Sequence, residues 1–184
     1  TLSKSVKEYL LKYNSIDNKF NEFISYHIIR PQEINDLKSK IISLTPIKNT
    51  ISIKVKDQYE DKPFPIWSLA KTYEFDNDNF YNQVFRFHKI DYSSMNNIEN
   101  VLIAGCGTGR HTILRAKECK DINFLSIDIS ESSLAYATYM AKKEKLDNIT
   151  FALADINEFD SYHHKFDVIE CVGVLHHTEE PIKG

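Results

Sequence analysis

Three of the five glycines in this 184-residue chain, Gly105, Gly107 and Gly109, fall within five residues. They stand in Val101-Leu102-Ile103-Ala104-Gly105-Cys106-Gly107-Thr108-Gly109-Arg110-His111, an apolar run followed by a glycine turn and a helix start. Backbone without Cβ atoms can approach a ligand closely, and amides at a helix N-terminus favour negative charge. A dinucleotide fingerprint requires G-x-G-x-x-G, and Arg110 occupies the place of its third glycine. A phosphate loop requires Gly-Lys-Ser/Thr, which the chain lacks. Pyrophosphate binding is therefore the weaker inference. Two acids follow. Asp128, 19 residues after Gly109, ends the next apolar run and can accept hydrogen bonds from ribose hydroxyls. Asp155, in Leu153-Ala154-Asp155-Ile156, can accept from an adenine amino group. Singly, each acid reads more readily as a turn residue or helix cap. Together, behind a glycine loop and at successive strand ends, they fit the rule that open parallel sheets bind ligands at the carboxyl ends of their strands.

Other polar residues carry less. His176 and His177 follow the fourth apolar run and are the candidates for a general base, with helix-entry packing or capping as the competing reading. His163 and His164 read as loop residues, and no further ligands point to a metal beside them. Glu170 is either buried and paired or at a strand edge, and has no assigned role.

The elements that must position these residues show in the periodicity. Short β-rich runs at Asn100–Ala104, Asn123–Ile127, Thr150–Leu153 and Phe166–Cys171 alternate with helical stretches at 109–119 and 131–145, the second capped by Ser130. This alternation predicts an α/β parallel sheet with right-handed crossovers. Residues 1–48 read as helices. Val6, Tyr9, Leu10 and Tyr13 form one apolar face, and Ile16, Phe20, Phe23, Ile24 and Ile28 a second, ended by Pro31. A third helix is expected over 33–44. Residues 50–58 fit a strand by alternation of Ile51, Ile53 and Val55, or a helix capped by Thr50. Residues 59–68, with Pro63 and Pro65, read as irregular and as the boundary before the second half. The expected divisions are a helical extension over 1–58, an aromatic-rich linker or cap over 59–98, and a ligand-binding Rossmann-like half-domain over 99–184. Ten of the 22 aromatic residues lie within residues 59–92, either as glue between a helical cap and the sheet or as the lining of a pocket for a flat or apolar substrate.

Composition sets the outer bounds. The chain is 42% hydrophobic and 27% charged, within the range of ordinary globular domains. No apolar run approaches the roughly 18 residues of a membrane span. Net charge is −3, which argues against a general nucleic-acid binder. Residues 1–62 hold 11 Lys and Arg against 8 Asp and Glu, and the remainder 12 against 18. Cys106, Cys119 and Cys171 form neither a disulfide framework nor a zinc site, which points to a reducing, cytoplasmic setting. The chain begins with Thr1 rather than Met, and a piece of a longer protein is expected.

Residues 100–181 resemble a class I S-adenosylmethionine-dependent methyltransferase. The resemblance rests on Ala-Gly-Cys-Gly-Thr-Gly at 104–109, Ser-Ile-Asp-Ile-Ser at 126–130, Leu-Ala-Asp-Ile at 153–156 and Phe-Asp-Val-Ile-Glu-Cys-Val-Gly-Val-Leu-His-His-Thr-Glu-Glu-Pro at 166–181. Gln58-Tyr59-Glu60 and Pro63-Phe64-Pro65-Ile66-Trp67 further resemble a stretch preceding this domain in bacterial methyltransferases often fused to tetratricopeptide repeats. The resemblance implies S-adenosylmethionine as cofactor and methyl transfer to an unidentified acceptor. Gly105, Cys106, Gly107, Thr108 and Gly109 would face its methionine moiety, with Arg110 or His111 helping at the carboxylate. Asp128 would hold the ribose and Asp155 the adenine amino group. Ile129 and Ile156 would pack on the ring, and Val172 and Gly173 would lie under the cofactor. Ile103 stands where many members carry an acid, so part of the ammonium binding must come from elsewhere. The base-methylating motif Asp/Asn-Pro-Pro-Tyr/Phe is replaced by Val172-Gly173-Val174-Leu175. The family sheet has seven strands and the chain stops after the fourth, so an incomplete sheet is expected, with self-association through the exposed fourth-strand edge. A degenerate domain serving as a protein-interaction module is the alternative function.

Overall fold

The computed structural model describes residues 3–12, 17–68, 81, 84–85 and 98–178. Its centre is a five-stranded, wholly parallel sheet in the order β1-β4-β3-β2-β5. The strands are β1 (Ile42–Ser43), β2 (Asn100–Ala104), β3 (Asn123–Asp128), β4 (Ile149–Leu153) and β5 (Val168–Cys171). The four strands expected from the sequence are all present, and parallel pairing follows from the helical crossovers between them.

Residues alternate between the two faces of β2. Val101 and Ile103 point into a core built with Ile113, Ala116, Leu134, Ala137 and Met140. These belong to α5 (Arg110–Glu118) and α6 (Glu131–Lys143), so both crossover helices cover this face. Leu102 and Ala104 point to the other face, beside Ile127, Ala152 and Ala154 and under Ile156, Phe159 and Phe166. Asn148 ties the layers together: its side-chain amide donates to the carbonyls of Ala116, Cys119 and Ile122 at 3.4, 3.2 and 3.0 Å, satisfying groups left open at the end of α5.

The front of the chain departs from expectation in two places, at Pro31 and at the end of the third helix. Helix α1 (Lys4–Leu11) is capped by Ser3, but Tyr13 and Ile16 of the expected apolar faces lie outside the described residues. Pro31 does not end a helix. Helix α2 (Asn18–Ile24), a π-helical segment (Ser25–Ile29) and α3 (Arg30–Lys38) follow without interruption, with Pro31 in the first turn of α3. Proline lacks an amide hydrogen and its ring crowds the carbonyl four residues back; the wider π turn before it accommodates both. The helix then stops at Lys38 rather than 44, and Ile42-Ser43 pair with Ala152-Leu153 on the open edge of β4.

Residues 50–58 form a helix, not a strand. Helix α4 (Thr50–Asp61) is capped not by Thr50 but by Asn49, whose Oδ1 accepts from the amides of Ile51 and Ser52 at 2.7 and 3.3 Å. The alternation of Ile51, Ile53 and Val55 is outweighed by this cap and by the helical spacing of Ser52, Val55 and Tyr59. Of the aromatic-rich stretch, Tyr59, Phe64, Trp67, Tyr81 and Phe85 are described; Tyr73, Phe75, Phe80, Phe87 and Tyr92 lie outside the described residues. Trp67, Tyr81 and Phe85 join the main core, so these three act as packing.

Candidate functional site

The glycine turn crosses from β2 to α5 at the carboxyl edge of the sheet. Gly105 has φ +71°, and a Cβ there would lie 2.1 Å from the Val174 side chain. Gly109 has φ +77°, and its Cβ would lie 2.5 Å from that of Ala137 on α6. Both positions thus require glycine twice over, for backbone conformation and for close approach. The turn's amides largely hold the turn itself. Those of Gly105 and Cys106 donate to the Ile127 carbonyl at 2.8 and 2.9 Å, and that of Gly109 to the Cys106 carbonyl at 3.0 Å. The Gly107 amide donates to Asp128 Oδ2 at 2.8 Å. What remains for an anion is Thr108 and the first turn of α5, where the amides of Arg110, His111 and Thr112 have no intrahelical partner.

Asp128 braces this turn. Besides Gly107, its Oδ1 accepts from the Ser130 amide at 2.9 Å. Each carboxylate oxygen has a second lone pair, so the residue can hold the loop and still accept from a diol. Burial raises its pKa, and the amides of Ser130, Gly107 and Ile129 only partly offset this. Asp155 is 1% exposed. Its Oδ1 accepts from the Asn157 amide and Nδ2 at 3.0 and 2.9 Å, while its own amide donates to Thr45 Oγ1 at 2.8 Å. Its Oδ2 is buried without a hydrogen-bond partner. An orphaned buried acceptor is costly to leave unmatched, and it marks a place where a donor belongs.

These groups share one cavity of about 400 Å³. Of the residues assigned from the sequence, Gly105, Cys106, Gly107, Thr108, Asp128, Ile129, Asp155, Ile156, Val172 and Gly173 line it. Gly109 does not; it serves the packing of α5 on α6. A Cβ on Gly173 would meet nothing within 4 Å, so its absence leaves room at the wall. His177 lines the cavity and meets the Tyr59 ring edge-on at 6.4 Å between centroids, whereas His176 is not part of the lining. His164 stacks on Tyr162 at 5.0 Å.

The near wall bears out the pocket-lining alternative for Tyr59 and Phe64 and adds residues the sequence reading did not assign. Ser52, Val55 and Tyr59 of α4 line the cavity, as do Phe64 and Pro65. Residues 64–67 strap across the glycine turn: Thr108 Oγ1 donates to the Pro65 carbonyl at 2.5 Å, and Trp67 Nε1 donates to the Thr108 carbonyl at 3.1 Å. Tyr136 of α6 donates to the Trp67 carbonyl and receives a hydrogen bond from Arg30 of α3. Glu60 clamps α4 to the head of α6. It accepts from the Ser130 hydroxyl at 3.1 Å and from the Ser132 amide and hydroxyl at 3.1 and 2.7 Å, and it pairs with Lys38 at 3.0 Å. Burial alone would raise its pKa; the Ser132 bonds and Lys38 reverse this and bring it to about 2. For Glu60 the signal in the sequence was the Gln58-Tyr59-Glu60 resemblance, which assigned it no role.

Glu170 is partly buried and paired. Its side chain is 15% exposed, its Oε2 lies 2.5 Å from His111 Nε2, and its Oε1 accepts from the Tyr81 hydroxyl. Burial pushes its pKa up, but the His111 and Tyr81 bonds outweigh this and hold it below the usual carboxylate value.

The comparisons agree with this geometry. A family model described as a methyltransferase domain matches residues 96–183. An uncharacterized protein of Synechococcus sp. is 38% identical over 85 residues, covering 46% of this chain and 20% of that protein. A tRNA U34 carboxymethyltransferase of Campylobacter fetus subsp. fetus is 30% identical over 89 residues, covering 47% of this chain and 31% of that enzyme. The chain thus spans less than a third of the length of either relative. The solved structure of the [4+2]-cyclase SpnF aligns over 77% of this chain and 56% of its own, with a TM-score of 0.50 and 19% identity, and so shares the fold. The matched family model likens residues 96–183 to a methyltransferase domain, and the parallel β4-β3-β2-β5 core behind the glycine turn accords with that likeness.

Proposed function

We propose that this domain binds S-adenosylmethionine and directs its methyl group to an acceptor. The observation that carries the reading is the partnerless buried Oδ2 of Asp155, set in the same cavity as the glycine turn and Asp128. The residues present fit the nucleoside. Asp155 Oδ2 offers the acceptor that an adenine amino group needs, between the apolar side chains of Ile129 and Ile156. Asp128 offers lone pairs to the ribose hydroxyls. Gly105, Cys106, Gly107 and Thr108 face the methionine moiety, and Val172 and Gly173 form the floor.

When bound, the cofactor supplies a methyl group already activated by a positive sulfur, which leaves as a neutral thioether. The chain's own part is to fix the nucleoside, to exclude water behind the Phe64–Trp67 strap and to present the acceptor in line. An acceptor protonated at working pH would also need a base. His177 stands in the cavity wall for that role and His176 does not. Cys106, Cys119 and Cys171 are free thiols, which supports a cytoplasmic setting. The outer edge of β5 has no strand beside it among the described residues, with Ile169 63% exposed, and this supports self-association there.

Titration calorimetry with S-adenosylmethionine, S-adenosylhomocysteine and NAD tests the reading. Both sulfur nucleosides should bind and NAD should not. Asp155→Ala should weaken both by about 10-fold or more, the loss of a hydrogen bond to a charged group. NAD binding, or no binding of either sulfur ligand, would overturn the assignment.

A further inference from the structure

The His111–Glu170–Tyr81 cluster is a half-buried polar group that the transfer chemistry leaves unused. Its parts come from three places in the chain: the first turn of α5, the middle of β5, and residue 81. Glu170 pairs in register with Ile103 of β2, which puts its side chain on the α5 side of the sheet. His111 lines the cavity and Glu170 does not, so the carboxylate stands behind the imidazole. With its Nε2–H given to Glu170, the neutral imidazole presents Nδ1 as an acceptor, the partner that the ammonium of an amino-acid end requires. The same first turn carries amides without intrahelical partners, whereas four amides of the glycine turn are committed internally. A ligand carboxylate is therefore left to Thr108 and the amides at the head of α5, and the ammonium beside it falls to His111 in the same turn.

We propose that Glu170, braced by Tyr81, is a positioning residue that locks His111 against the amino-acid end of the bound nucleoside. This rests on the S-adenosylmethionine reading above. It assigns recognition of the amino-acid moiety to a side-chain pair on α5 and β5, in addition to the glycine turn. The transfer chemistry needs no proton from this cluster; its work is orientation, as with a carboxylate that fixes a histidine's tautomer and ring plane.

The test compares two ligands, S-adenosylhomocysteine and 5′-methylthioadenosine, which share adenosine and sulfur but differ in the amino-acid end. The wild-type protein should bind S-adenosylhomocysteine more tightly. Glu170→Gln and His111→Gln should each lower that affinity about 10- to 100-fold while changing 5′-methylthioadenosine binding less than about 2-fold. Tyr81→Phe should give a smaller loss in the same direction. His111 is 34% exposed at its side chain, so His111→Gln keeps the test open if the partly buried Glu170→Gln fails to fold. Equal weakening of both ligands would mean a merely structural role and would overturn the proposal. So would variants that retain full preference for S-adenosylhomocysteine, or a wild-type protein with no preference. Failure of the wild-type protein to bind either ligand would overturn the nucleoside reading itself.

Discussion

At Glu60, burial and hydrogen bonding pull in opposite directions, and the sign of the outcome sets a pH dependence. Its folded pKa of about 2 lies below the ordinary 4.5, so its contribution is complete above about pH 4.5 and fades as pH falls towards 2. Removing the carboxylate with Glu60→Ala should destabilise the neutral protein by about 1.5–3 kcal/mol, the range for charge-assisted hydrogen bonds. Urea denaturation of both proteins from pH 7 down to 3 should show that difference narrowing with acid. A gap that is constant with pH would sink the assignment. Asp128 acts in the other sense. Its pKa is raised from 3.8, so its contribution is greatest in acid and declines as it ionises. The same carboxylate that braces the glycine turn therefore does so against its own desolvation.

At the scale of elements, the strand–turn–helix from β2 to α5 depends on what packs over it. Gly105 lies under Val174, whose two Cγ atoms are 2.1 and 2.9 Å from the place a Cβ would take, whereas Gly109 lies against α6 at Ala137. An L residue at either φ is disfavoured by roughly 1–2 kcal/mol before any clash. Gly105→Ala should exceed that, and adding Val174→Ala should recover the steric part and leave the conformational part. Gly109→Ala should be the more damaging change, because Ala137 cannot move without the helix. Thermal melts of the three variants check the order; equal losses for Gly105→Ala and its double variant would refute the Val174 contact as the cause. Helix α4 makes the complementary point. It packs on α6 through Glu60 and the Lys56–Glu131 pair at 3.4 Å, and its inner face supplies a cavity wall.

For the whole molecule, β5 bounds one side of the described sheet and β1 the other, with Ile42 52% exposed and Ile169 63%. The short β1 limits pairing at its edge, while β5 offers four residues of strand. Light scattering after size exclusion should show concentration-dependent dimers, reduced by Ile169→Lys. A monomer at every concentration would exclude this edge as an interface.

How much was legible in advance divides along the same scales. The glycine turn, both aspartates and the four central strands show in the sequence because each is written locally. Positive φ calls for glycine, a parallel strand calls for a short apolar run, and a strand-end acid sits next to that run. The fate of Pro31 and the strand at Ile42-Ser43 were not legible, and the choice between strand and helix at 50–58 was left open, since each depends on contacts beyond its own segment: the π turn's packing, the open edge of β4, the head of α6. Glu60, Trp67 and the Glu170–His111 pair became visible for the same reason only in three dimensions. Their neighbours lie 70, 41 and 59 positions away. By itself the sequence determined which backbone could cradle a nucleoside and which acids could hold it. Tertiary structure decided which amides remained open, which histidine faced the cavity and which carboxylate oxygen was left without a donor, because those outcomes depend on contacts that no local spacing encodes.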